Sequence, residues 1–132
     1  MNFIISFIIT YIIFTIVDFS WITLNYNYYM TLCKKIQKEP FVPKIPSVII
    51  AYIILGIGLY LYVKFISVEI KKKNYLTTIL YGLLFGLAIY GTYSFTSCSY
   101  YKNYGYYDAM IDTLWGMVLF MISGIIFISI YK

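Results

Sequence analysis

Four long apolar runs constrain the fold of this chain more than any other feature. They cover residues 3–24, 46–65, 75–97 and 109–131, and each reaches the roughly 20 residues that a helix needs to cross a bilayer. The runs are continuous rather than alternating, which favours helices over the strands of a membrane barrel. The pattern predicts an all-α integral membrane protein, a four-helix bundle that forms one transmembrane domain over residues 1–132.

The composition agrees with lipid as the main solvent. Hydrophobic residues make up 62% of the chain and charged residues 11%, against roughly 45–50% and about 25% in soluble domains. No lysine or arginine precedes the first run and no A-x-A-like cleavage site follows it. We therefore expect an uncleaved anchor rather than a signal peptide, and membrane lipid as the main partner.

An even number of spans places both termini on one side, called side A, together with the second loop. The first and third loops then lie on the other side, side B. The lysines divide evenly, with five on side A (Lys64, Lys71, Lys72, Lys73, Lys132) and five on side B (Lys34, Lys35, Lys38, Lys44, Lys102). The positive-inside rule is therefore undecided, and only the compact turn of Lys71, Lys72 and Lys73 favours a cytoplasmic side A. Lysines in short gaps between apolar runs fit lipid headgroups better than nucleic acid.

Residue types that are missing exclude several chemistries. The chain has no histidine, which excludes Ser-His-Asp and Cys-His catalysis, histidine-ligated haem and histidine-containing zinc sites. Its two cysteines, Cys33 and Cys98, form no C-x-x-C pattern, so we expect neither a metal nor another cofactor. Both fall on side B, where they would pair in an oxidising compartment and otherwise act as small apolar residues.

An acidic residue, Asp18, interrupts the first apolar run toward its side-B end. An ionised carboxylate at the centre of a bilayer costs on the order of 2.5–3.5 kcal/mol, so its presence needs an explanation. Three interpretations stay open: a site for a proton, ion or headgroup, a buried hydrogen bond that locks helices together, or a carboxylate that snorkels to the interface. Tyr11, Thr15, Ile22 and Asn25 share one helical face with Asp18, which predicts a polar face turned into the bundle.

A second aspartate repeats the local pattern of the first. Asp18-x-x-Trp21 is echoed by Asp112-x-x-Trp115 near the start of the fourth run. Because the first and fourth helices run in opposite directions, the two aspartates can reach a similar depth in the same leaflet. Each tryptophan lies beside its own aspartate at i, i+3, where its indole N–H can donate to the carboxylate or anchor at the interface.

Small and hydroxyl-bearing residues complete the candidate site. Gly82 and Gly86 form a G-x-x-x-G step, which with Gly116 predicts close packing of helices. The side-B half of the second and third runs carries the hydroxyl groups of Tyr52, Tyr90, Thr92 and Tyr93. With the two aspartates and two tryptophans, they predict a polar binding site in the side-B leaflet and a plain apolar floor toward side A.

The order and spacing of these motifs resemble a family of small membrane proteins known only as domain of unknown function 2177. The resemblance covers nearly the whole chain and rests on Asp18, Trp21, Tyr29, Gly82, Gly86, Tyr90, Gly91, Thr92, Tyr93, Asp112, Trp115 and Gly116. It implies a four-helix membrane fold and no established reaction. The family usually continues its tyrosine with Asp-Leu-Thr-Asn, where this chain has Ser94-Phe95-Thr96-Ser97, so a third carboxylate is missing here.

Three functions remain open at this point. The first is a membrane protein that binds or translocates a small solute, ion or proton; transport through so thin a bundle would need a homo-oligomer. The second is a lipid-binding or lipid-modifying protein, whose chemistry without histidine would rest on Asp, Tyr and Lys, although no catalytic motif supports an enzyme. The third is a structural protein of a cellular or virion membrane, in which the aspartates hold the bundle together.

Overall fold

A computed structural model describes residues 1–70 and 74–131. Over these ranges the chain is helical and contains no strand. The helices long and apolar enough to cross a membrane are Phe3–Leu24, Ile45–Val68, Tyr75–Tyr100 and Tyr106–Ile130. The predicted all-α fold with four membrane helices is confirmed. The lysines at 71–73 and 132, on which the orientation of side A depended, lie outside the described residues.

The first helix, α1 (Phe3–Leu24), begins at Asn2, whose Oδ1 accepts a hydrogen bond from the backbone N–H of Ile5. Its buried positions lie four residues apart: Ser6, Thr10, Phe14 and Asp18. This face differs from the predicted polar face, because Ile22 is exposed and Thr15 lies on the flank, bonded to its own helix. Packing of the Phe14 ring in the core therefore sets the rotation of α1.

A short helix, α2 (Tyr26–Gln37), follows α1 after Asn25. The sequence predicted only a loop here, since a polar segment of 12 residues is too short to span and too weakly apolar to stand out. The helix ends at Lys38, whose φ of 60° is a left-handed C-cap. It leaves Lys34 and Lys35 exposed.

The remaining helices surround α6 (Tyr106–Ile130), which contacts α1, α3 (Ile45–Ile70) and the whole third span. The core toward side A is formed by Phe14, Leu59, Tyr62, Val63, Ile66, Leu119, Phe120, Phe127 and Ile128. The predicted apolar floor toward side A is thus largely apolar, but it also contains buried polar groups. Tyr62 Oη donates to the carbonyl of Thr78 at 2.6 Å, and Ser123 is also buried there.

The third span consists of α4 (Tyr75–Gly86), a wide π-turn (Leu87–Gly91) and α5 (Thr92–Tyr100). Before the π-turn its buried positions are four residues apart, at Thr78, Gly82 and Gly86; after it they are Gly91, Ser94 and Ser97. The π-turn therefore inserts one residue into the buried row. Such insertions are often found at functional sites.

Glycines let α4 approach α6 closely. A Cβ on Gly82 would lie 2.7 Å from Met121 Cα, and one on Gly86 would overlap the backbone of Gly116. A Cβ on Gly116 would in turn overlap the ring of Tyr90. Gly116 thus makes room for Tyr90 as well as for the neighbouring backbone.

Candidate functional site

The Asp18 carboxylate is a junction between three membrane spans. It is 6% exposed and accepts a hydrogen bond at each oxygen. Tyr52 Oη of α3 donates to Oδ2 at 2.6 Å, and Trp115 Nε1 of α6 donates to Oδ1 at 2.8 Å. These two hydrogen bonds therefore hold α1, α3 and α6 together around the carboxylate.

The two tryptophans pair differently from the sequence-based prediction. Trp115 donates to Asp18 of the facing helix rather than to Asp112, and Trp21 Nε1 donates to Tyr29 Oη at 2.9 Å. The indole rings stack on each other, with centroids 4.4 Å apart and planes at 8°. The long indoles extend across the antiparallel α1–α6 contact, which is why neither bonds its own aspartate.

The second predicted aspartate, Asp112, is less fully bonded. Its Oδ2 accepts a hydrogen bond from Ser94 Oγ at 2.8 Å. Within the described residues, Oδ1 of Asp112 has no hydrogen-bond partner. One carboxylate oxygen is therefore free for a further contact.

A third aspartate has a structural position that the sequence did not reveal. Asp108 Oδ2 accepts from the backbone N–H of Gly105 at 3.0 Å, which caps the start of α6. Its Oδ1 accepts from Tyr28 Oη at 2.5 Å. This carboxylate thereby ties α2 to α6, and it lines neither of the cavities described next.

Two cavities flank the aspartates, and Asp18, Tyr90 and Asp112 line both of them. The α2-side chamber has a volume of about 260 Å³ and is lined by Asp18, Trp21, Ile22, Tyr29, Met30, Cys33, Phe41, Tyr90, Asp112 and Trp115. The α3-side chamber has a volume of about 380 Å³ and is lined by Asp18, Ala51, Tyr52, Ile54, Leu55, Ile89, Tyr90, Tyr93 and Asp112.

The hydroxyl-bearing residues of the third span differ in position and exposure. Tyr90 lines both chambers, and its hydroxyl forms no hydrogen bond with the described part of the chain. Tyr93 lines the α3-side chamber but is 68% exposed. Thr92 is exposed and lines neither chamber, so its part in the binding site stays a prediction. The π-turn shifts the buried row to Gly91 and Ser94 and leaves Thr92 outside.

The chambers are acidic in an apolar setting. Neither is lined by a lysine among residues 1–70 and 74–131, and these ranges contain no group of three His, Cys, Asp or Glu able to hold a metal. Burying an unpaired charge is costly, so buried carboxylates become protonated or pair with a cation. The arrangement around Asp18 and Asp112 is suited to either.

Ionisable groups outside the spans are also shifted by burial. Tyr104 is 9% exposed, and burial, aided by the charges of Asp112 and Asp108, raises its pKa to about 12. Burial also raises the pKa of the Cys33 thiol. Cys33 and Cys98 are both free thiols, so the disulfide considered from the sequence is not formed.

The comparisons with known proteins agree with this geometry. A family model described as Predicted membrane protein (DUF2177) matches residues 3–128. The chain belongs to the DUF2177 family. No curated protein and no solved structure matches the chain.

In this DUF2177 protein, six residues that carried the resemblance meet in the α2-side chamber. They are Asp18, Trp21, Tyr29, Tyr90, Asp112 and Trp115. The sequence did not indicate that Met30 and Cys33 of α2, or Phe41 after it, complete the wall. The only signal for α2 was the tyrosine matched at Tyr29, which implied no helix.

Proposed function

We propose that this membrane protein binds a small cationic solute, ion or proton within the side-B half of its helix bundle. The observation that carries the proposal is that Asp18 and Asp112 line the same two chambers while no lysine among the described residues does. Two like charges facing a common apolar space are stabilised by a cation or a proton between them. Oδ1 of Asp112 and the hydroxyl of Tyr90 have no hydrogen-bond partner among the described residues, so both are available as contacts.

We propose that membrane lipid surrounds the protein. Translocation, unlike binding, would require a homo-oligomer. Tyr90 lines both chambers, together with Asp18 and Asp112. A solute would have to bind at these shared residues before it could move from one chamber to the other. Binding therefore comes before transport in the order of tests.

The proposal is tested by the thermal stability of the full chain in nanodiscs of phosphatidylglycerol. A ligand that binds only the folded state raises the melting temperature with its concentration. We expect at least one of sodium, potassium, choline or protons to do so, and Asp112→Asn to remove the effect. Glu39→Gln is the matched control, because it deletes an exposed side-B acid outside both chambers. Equal responses in Asp112→Asn and the wild type, or no response at all, would contradict the proposal.

A structural role is the second candidate, and the bonding of Asp18 favours it. Tyr52 and Trp115 occupy both oxygens of this carboxylate, as expected of a group that joins helices. Asn at this position keeps an oxygen that accepts from Trp115 Nε1, and its NH2 can donate to Tyr52 Oη, which then acts as the acceptor. Leu leaves both partners unpaired. A purely structural role predicts that Asp18→Asn assembles normally, that Asp18→Leu does not, and that no cation stabilises either protein.

A further inference from the structure

The α2-side chamber has a wall of aromatic rings around its carboxylates. The aromatic members are Trp21, Tyr29, Phe41, Tyr90 and Trp115. Aromatic faces attract ammonium groups through the ring quadrupole, and more strongly where the cation is desolvated. Resting on the cation site proposed above, we propose that this chamber binds the ammonium group of an organic solute or of a lipid headgroup.

The size of the chamber limits what it can hold. Its volume of about 260 Å³ lies just below the roughly 300–1,000 Å³ of sites for drug-sized ligands. A small methylated or primary ammonium group fits this range, with the rest of a larger molecule outside. The half-buried Met30 and the exposed Phe41 lie on the α2 side of the wall, where a headgroup or a free solute would enter.

The chemistry of the wall argues against a bare inorganic cation. Hard divalent cations take six or more oxygen ligands, and sodium or potassium must likewise replace a tightly held hydration shell. The side-chain oxygens of this wall belong to Asp18, Asp112, Tyr29 and Tyr90. Those of Asp18 already accept two hydrogen bonds. An organic ammonium is weakly hydrated, and aromatic faces replace its solvent at lower cost.

Charge and hydrogen-bonding capacity remain unused in this chamber. Asp112 Oδ1 has no partner among the described residues, and Tyr29 Oη accepts from Trp21 while its own proton is not donated within them. Asp112 therefore supplies the counter-charge that a cation in the aromatic wall needs. Lys34 and Lys35 on the exposed side of α2 are placed to contact a lipid phosphate rather than the ammonium.

A native cysteine provides the measurement. Cys33 lines the chamber, whereas Cys98 lies outside it. In a Cys98→Ser protein in phosphatidylglycerol nanodiscs, the rate of alkylation reports access to Cys33. All rates are taken at one alkaline pH, because burial raises the pKa of this thiol.

We expect saturating choline to slow the alkylation of Cys33 at least tenfold and its uncharged isostere, 3,3-dimethylbutan-1-ol, to leave the rate unchanged. In a Cys33→Ser protein, alkylation of Cys98 should not respond to choline.

Two substitutions separate charge from the aromatic wall. Asp112→Asn should abolish protection by choline, because it removes the available counter-charge. Phe41→Leu should weaken the apparent affinity by roughly two- to fivefold, the range of one exposed cation–π contact. Phe41 is 45% exposed in the segment after α2, so this change leaves the helix packing intact. Unchanged affinity in both variants would overturn the proposal.

The source of the ammonium is decided by the lipid. If phosphatidylcholine nanodiscs already protect Cys33 and free choline adds nothing, the ligand is a headgroup. If free choline protects equally in both lipids, the ligand is a free solute. Protection by sodium, potassium or protons alone, or equally by the neutral isostere, would overturn the ammonium assignment. If only sodium, potassium or protons protect Cys33, the proposed cation site still stands. If no cation protects Cys33 and none raises the melting temperature, both the ammonium proposal and the cation-site proposal fail.

Discussion

At the scale of single residues, the site is organised by hydrogen bonds that cross between helices. Tyr52 donates to Asp18, while the backbone carbonyl of Tyr52 accepts from Tyr11 Oη at 2.8 Å. The Tyr52 ring also stacks on Phe19, with centroids 4.9 Å apart. Three contacts thus fix one tyrosine of α3 against α1. Since α1 also receives the Trp115 bond, the geometry of the carboxylate is held from two sides.

The stacked indoles give this arrangement a spectroscopic signature. Trp21 and Trp115 are the two tryptophans of the chain, so their coupled signal in near-ultraviolet circular dichroism is specific. Replacing either by Phe should abolish that signal. Only Trp115→Phe removes a donor from a buried carboxylate, which should cost about 1–3 kcal/mol of stability; Trp21→Phe is its matched control and should cost less. Equal losses of stability in thermal unfolding would contradict the assigned bond.

The sequence indicated which residues come near each other better than how they pair. The repeat of D-x-x-W in antiparallel helices predicted a similar depth for Asp18 and Asp112, and in the structure both line a common pair of chambers. It did not predict that Trp115 would bond Asp18. Spacing along one helix gives neighbours on that helix, whereas the reach of an indole across a helix contact depends on interhelical packing.

At the scale of elements, the π-turn and one glycine determine where Tyr90 lies. The apolar run Leu87–Gly91 contains the extra residue, and nothing in an all-apolar sequence marks such an insertion. The Tyr90 ring rests against Gly116 of α6. The ring is therefore confined on one side by the α6 backbone, and it lines both chambers.

Gly116→Ala tests this confinement. The added methyl overlaps the Tyr90 ring, so the ring or the helices must move, and overpacking of this kind costs about 1–3 kcal/mol. We expect a lower unfolding temperature and weaker cation binding. Gly58→Ala is the control, because its methyl would come close to Ile89 Cδ1, the flexible end of a side chain, at 2.9 Å, and would meet Phe120 Cζ at an ordinary 3.9 Å. A Gly116→Ala protein as stable as Gly58→Ala would contradict the proposed packing.

The short helix α2 is a cover for the α2-side chamber and is held by side-chain bonds. Tyr28 donates to Asp108, Tyr29 accepts from Trp21, and Asn103 Nδ2 donates to the carbonyl of Lys35 at 3.0 Å. Burial, and then the bond to Asp108, raise the pKa of Tyr28. A raised pKa in the docked state means that docking is stable below the ordinary tyrosine pKa of about 10 and weakens as the pH rises toward the raised value.

Tryptophan emission should report the docking of α2, because Trp21 bonds Tyr29 of this helix. In the wild type we expect the emission to shift to the red only above pH of about 10. Tyr28→Phe removes the hydroxyl and should give part of that shift at neutral pH, since one hydrogen bond contributes about 1 kcal/mol. Tyr100→Phe, at a 79% exposed tyrosine, is the control. Identical pH profiles for wild type and Tyr28→Phe would show that the hydrogen bond from Tyr28 to Asp108 does not hold α2 in place.

At the scale of the whole molecule, the polar chemistry gathers at one end of the bundle. The aspartates, both chambers, α2 and both cysteines lie toward the first and third loops, while the apolar core fills the opposite end. The four long helices were predictable because each run satisfies its own backbone and needs no tertiary information. The position of α2 over the α2-side chamber could not be predicted, nor could the two chambers, because these features arise only when the helices pack.

The number of spans gives the last prediction. The 12 residues of α2 rise about 18 Å at 1.5 Å per residue, well short of the roughly 30 Å hydrocarbon core, so α2 cannot cross and the spans remain even in number. Short tags on the two termini should therefore be cleaved by protease from the same side of sealed vesicles. A membrane-impermeant thiol reagent should reach Cys98 in a Cys33→Ser protein only from the other side. Tags on opposite sides, or Cys98 labelled from the side of the tags, would show that one helix does not span.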